Sequence, residues 1–247
     1  MRSGNPALSA ATFRGLPVSL GDRMTLSGTV NKTLILLALV IAGAFFTWNQ
    51  ALVQANNALL PLLTVGGAIG GFVVALVTVF KKEWSPVTAP LYAVLQGLFL
   101  GGLSSFLNQA YPGIVLQAVG LTFGVALSLL VVYRSGLIKV SENFRLGIVA
   151  ATGGIALVYL LSFGLRFFGL EMPFIHESGV IGIGFSVFVV AIAALNLVLD
   201  FDFIEHGAES GAPKYMEWYG GFGLMVTLIW LYIEILHLLA KLQGRRD

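Results

Sequence analysis

Long apolar runs separated by short polar breaks make up most of this chain, and the runs come in one size. A helix needs about twenty apolar residues to cross the hydrocarbon core of a bilayer. Seven segments meet that length, at approximately 33–52, 58–80, 89–107, 114–133, 146–169, 180–200 and 218–240. Their apolar positions recur with helical period or run without interruption, and none shows the strand-length alternation of a membrane barrel. The pattern predicts an all-α integral membrane protein with seven transmembrane helices over 33–240, an amino-terminal tail over 1–32 and a short polar tail over 241–247. Breaks such as QANN at 54–57 and NQAYPG at 108–113 are short, so successive spans are expected to be antiparallel neighbours.

Composition agrees with the pattern. Hydrophobic residues make up 57% of the 247 and charged residues 11%, and the mean hydropathy is +0.89. Globular domains carry about 25% charged residues, so lipid must replace water around much of this chain. With no cysteine, disulfides and thiolate metal sites are excluded. A scattered net charge of +2 gives no reason to expect nucleic acid as a partner.

Residues 1–32 carry Arg2, Arg14, Arg23 and Lys32 and have no apolar core of a signal peptide, so a cytoplasmic, partly disordered tail is expected. Ten of the basic residues fall on the side of that tail, including Lys81, Lys82, Arg134, Lys139, Arg145 and Lys214; four fall opposite. That asymmetry places the amino terminus inside. Seven crossings would then put the carboxyl terminus outside, although LLAKLQGRRD ends in basic residues and argues the other way.

Glycines concentrate within spans, at Gly66, Gly67, Gly70 and Gly71, at Gly97, Gly101 and Gly102, and at Gly220, Gly221 and Gly223. Spaced in this way they let helix backbones approach closely, a main source of association in lipid. Polar residues inside spans are few, and each is a functional candidate because burying a charge there costs several kcal/mol unless it is paired or neutralised. Asp200 closes the sixth span, with Asn196 one turn earlier on the same face; Glu234 and His237 share a face of the seventh. Arg166, near the end of the fifth span, is read as snorkelling to the headgroups. A direct pair between Asp200 and Glu234 is disfavoured by length. Asp200 lies at the end of the membrane where the seventh span begins, whereas Glu234 lies about 24 Å further along that span at 1.5 Å per residue.

The stretch from Asp200 to Glu217 holds five carboxylates, Asp200, Asp202, Glu205, Glu209 and Glu217. The last four read as a solvated acidic connection between the sixth and seventh spans. They lack the glycine-centred loop of an EF-hand, so tight calcium binding is not indicated, and at most a weak calcium contact is expected near Asp200, Asp202 and Glu205. No metalloprotease or intramembrane aspartyl motif is present, His176, His206 and His237 are dispersed, and no cofactor or enzymatic activity is expected.

The run ALNLVLDFDFIEHG, followed by EWYGGFGLMVTLIWLYIEILHLL from Glu217, resembles the carboxyl-terminal signature of the Bax inhibitor-1 family. The amino-terminal MRSGNPAL and TVNKT segments are similar to its bacterial branch with an extended tail. The resemblance implies six helices packed around a central seventh, in a bacterial cytoplasmic membrane, forming a pH-sensitive path through which calcium leaks. It further implies a proton-sensing carboxylate at Asp200 and a salt-bridge latch at Lys81 or Lys82. The family's second acid falls here on Thr227, and Glu234 lies two turns further on, so Asp202 or Glu205 is the alternative second carboxylate. The leading expectation is a proton-regulated calcium leak using Asp200, Asn196, Asp202 and Glu234. The alternative is an interaction protein that binds a membrane-embedded quality-control protease through its tail.

Overall fold

The computed structural model describes residues 23–53, 59–169 and 179–245. Seven helices among them are long and apolar enough to cross a membrane. They are α1 (Leu26–Val53), α2 (Leu59–Phe80), α3 (Ser85–Ala110), α4 (Ile114–Arg134), α5 (Glu142–Phe167), α6 (Val180–Glu209) and α7 (Met216–Gln243), with one 3-10 turn at Lys82–Trp84 before α3. Large apolar side chains such as Phe45, Phe72, Leu116 and Leu160 are exposed on them. Water would make such faces an aggregation hazard, whereas lipid solvates them.

The seven spans are where the hydrophobic pattern puts them, but several helices outrun it. Hydropathy finds the part of a helix that lies in hydrocarbon; caps and turns decide where the helix ends. The helix α1 starts at Leu26, so the tail expected over 1–32 gives up its last seven residues to it. Residues 1–22 and the QANN break lie outside the described residues. At α5, the hydroxyl of Ser141 accepts the Phe144 amide at 3.2 Å, an N-cap one turn before the apolar run.

The largest correction concerns α6, expected to end at Asp200 and observed to continue to Glu209. Gly211 stops it, with φ +68° in the left-handed region. Its amide donates to the Ala208 carbonyl at 3.2 Å and the Ala212 amide to the Gly207 carbonyl at 3.1 Å, the paired bonds of a Schellman ending. Residues 201–209 are therefore helix and not a water-facing connection.

Two compact units can be described separately. One gathers α1, α2, α3, the end of α6 from Phe203 and the start of α7 as far as Val226. Within it, α3 packs on both α1 and α2. A Cβ on Gly43 would meet the Val94 carbonyl at 2.9 Å, and one on Gly67 the Leu95 carbonyl at 2.6 Å. The absent side chains are thus what brings these backbones together. Tyr92 of α3 meets Phe222 of α7 edge to face, with centroids 4.9 Å apart.

The other unit gathers α4, α5, α6 as far as Asp202 and α7 from Thr227. Its α5 and α6 run antiparallel, as three rungs two turns apart on α5 record. Arg145 reaches Asp202, Thr152 reaches Asn196, and Tyr159 meets Phe185 edge to face. On α7, Lys241 reaches back to the start of α6, donating to the Ser186 hydroxyl at 2.8 Å and the Gly182 carbonyl at 3.2 Å.

Candidate functional site

The sixth helix concentrates polar residues near its middle. Asn196, Asp200 and Asp202 are 1%, 0% and 7% exposed. A helix that buries three polar side chains within two turns must supply partners for them. The Asn196 amide nitrogen donates to the Thr152 hydroxyl and to the Ile192 carbonyl, both at 2.9 Å. Its carbonyl oxygen is buried with no donor among the described residues. Asp200 lies one turn further along the same helix face, fully enclosed.

Asp202 is held by Arg145. A guanidinium nitrogen lies 2.8 Å from its carboxylate, and a second nitrogen of the same group lies 3.0 Å from Glu142. Arg145 is itself only 5% exposed, so this is a buried ion pair joining the start of α5 to α6. Asp202, a candidate for a second sensing carboxylate or a weak calcium ligand, is thus engaged by the Arg145 guanidinium. No group of three His, Asp or Glu side chains that could hold a metal occurs among the described residues.

Glu234 belongs to a different level of the same unit. It is 3% exposed. Its carboxylate accepts from the Tyr159 hydroxyl, 3.0 Å from both oxygens, and from the Trp230 indole nitrogen at 3.1 Å. Tyr159 packs on Phe185, and Phe185 and Asp200 lie roughly 22 Å apart along α6 at 1.5 Å per residue. The two acids therefore do not form a pair, and the expected set Asn196, Asp200, Asp202 and Glu234 divides into three residues at one level and one at another. Thr227, which stands where the family has its second acid, is buried at 2% exposure. His237 is exposed.

Lys81 is exposed at the end of α2, Lys82 is half-buried in the following turn, and neither forms an ion pair with a carboxylate among the described residues. The buried cation is Arg145, which sequence reasoning had assigned only to the inner-face charge count. A signal for it was present, since the Ser141 cap starts α5 early enough to draw Arg145 into the helix.

The acids expected in a solvated connection also divide. Glu209 is exposed and Glu205 half-buried, but Glu217 is 1% exposed. Its carboxylate accepts from the Thr25 amide at 3.0 Å and the Thr25 hydroxyl at 2.9 Å, with the Lys214 ammonium 3.2 Å away. Glu217 is a packed residue and not a surface charge.

No curated protein matches the chain as a relative. A family model described as Bax inhibitor 1 like does match, over residues 5–244, and so takes in all seven helices. With that coverage, and with seven apolar helices suited to a lipid bilayer, the chain belongs to the Bax inhibitor 1 like family of integral membrane proteins.

Proposed function

We propose that this protein is a pH-sensitive cation leak of the bacterial cytoplasmic membrane, with calcium as the permeant ion, α7 as its central helix, and protonation of Asp200 as the gating event. Its amino terminus lies in the cytoplasm, and the protein catalyses no reaction. The observation that carries the reading is the polar stretch of α6, where a fully enclosed carboxylate at Asp200 sits one turn from a buried Asn196 carbonyl oxygen that has no donor among the described residues. Within a membrane span, such oxygens are the groups that greet a proton or a cation. A change of charge at Asp200 alters the balance of the buried stretch that also contains the Arg145–Asp202 pair, and so biases a closed-to-open equilibrium.

Reconstituted protein should pass calcium into liposomes at a rate that changes across a pH series, read with an entrapped calcium dye. Asp200→Asn should flatten that dependence. A variant whose pH profile matches the unmodified protein would sink the assignment of Asp200.

A further inference from the structure

The start of α1 is capped by a residue from the other end of the chain. Thr25 is the N-cap: its carbonyl accepts the Thr29 amide at 3.0 Å, and its hydroxyl accepts the Gly28 amide at 3.0 Å. In a capping box, a Glu or Gln at the third helical position reaches back to the amide of the cap residue. Here that position is Gly28, which has nothing to reach with. Glu217, in the first turn of α7, does the reaching: its carboxylate takes both the amide and the hydroxyl proton of Thr25. A Cβ on Gly28 would fall on that carboxylate, so the missing side chain makes the room. One box has been divided between two helices.

Further bonds hold the same segment to the connection between α6 and α7. Arg23 forms an antiparallel bridge with Pro213, and the Met24 amide donates to the Ala212 carbonyl at 2.7 Å. Lys214 balances the Glu217 charge, and the Lys32 ammonium lies 4.8 Å above the Trp218 ring. The connection is anchored in turn by Ser85, whose hydroxyl donates to the Tyr215 carbonyl at 2.9 Å. All of these groups belong to one unit.

We propose that residues 23–28 are a strap, docked on the α6–α7 connection by Glu217, and that undocking this strap regulates transport. The first half stands on the geometry alone; the second rests on the cation-leak reading. The strap carries its own reporter, because trypsin cutting after Arg23 needs the following residues extended in its cleft, and Met24 and Thr25 are bound. Cutting after Arg14 serves as the reference.

Glu217→Gln should raise the ratio of Arg23 to Arg14 cleavage roughly tenfold, since it removes the charge from two charge-assisted hydrogen bonds. Thr25→Val removes the hydroxyl bond to Glu217 and the Gly28 cap while leaving the amide bond, and should raise the ratio severalfold, whereas Thr25→Ser should keep it low; this pair decides the matter even if Glu217→Gln does not insert. A ratio unchanged in Thr25→Val overturns the docking. Regulation is tested with Arg23→Cys paired with Pro213→Cys in this cysteine-free chain. Partners across an antiparallel bridge lie about 4.5–5.5 Å apart, within disulfide range. Oxidation should lower calcium flux severalfold and reduction should restore it; equal flux in both states overturns the regulatory half. No flux from the unmodified protein overturns the leak reading, and the regulatory half with it, while the trypsin ratio still decides the docking.

Discussion

At the scale of single residues, the Arg145–Asp202 pair makes the sharpest demand. Removing one member of a buried pair leaves the other charge without its partner and typically costs about 3–5 kcal/mol, whereas replacing both with apolar side chains is often neutral. Asp202→Leu should therefore lower the melting temperature in detergent markedly, and Asp202→Leu combined with Arg145→Met should recover most of the loss. Tyr215 offers a pH-dependent counterpart outside the spans. Burial first, and then the Glu83 carboxylate, raise its hydroxyl above the ordinary 10.0, so the folded state holds the proton more tightly than the unfolded one. The stability this gives is present below that value and is lost as pH rises past it. Thermal unfolding at about pH 9 and about pH 11 should show Tyr215→Phe losing less than the unmodified protein between the two. Asp200 and Asn196 were legible in the sequence because polar residues in an apolar run announce themselves. Arg145 and Glu217 were not, because each lies at the edge of a run, where charge is ordinary and only tertiary packing distinguishes a buried group from a solvated one.

At the scale of elements, the seven spans could be read directly because hydropathy and bilayer thickness fix them together. Their ends could not, because they follow capping chemistry. The sequence SGAP at 210–213 carries the stop signal of α6, a glycine just past the helix with a proline soon after, but an apolar-run criterion ends the helix at its first charge. Gly211→Ala should destabilise by about 1 kcal/mol through its left-handed backbone. Glycines within helices should divide by what surrounds them. At Gly67 an added Cβ would press on the Leu95 carbonyl and the Phe99 amide, whereas at Gly120 it meets nothing within 4 Å. Gly67→Ala should lower the melting temperature by separating α2 from α3, and Gly120→Ala should leave it unchanged or raise it, since alanine is favoured over glycine in a helix interior by about 0.5–1 kcal/mol. The sequence identified glycine packing as a theme without saying which glycines carry it.

At the scale of the whole molecule, a chain whose seven apolar helices all cross is expected to have its two ends on opposite faces of the membrane. Single cysteines at Arg23 and Gly244 should therefore react with an impermeant maleimide from opposite sides of sealed vesicles, and labelling of both from one side would mean that a helix does not cross. The divided capping box adds an ordering in time. Thr25 and Glu217 are 192 positions apart, and ribosomes add roughly 5–20 residues per second, so the first helix enters the bilayer roughly 10–40 s before the residue that completes its cap is made. Throughout that interval the amide of Thr25 must rely on water or a chaperone for its hydrogen bond. A nascent chain arrested before α7 should accordingly be cut after Arg23 as readily as after Arg14, and protection should begin only once Glu217 has left the ribosome, which makes this short segment a clock for the end of synthesis.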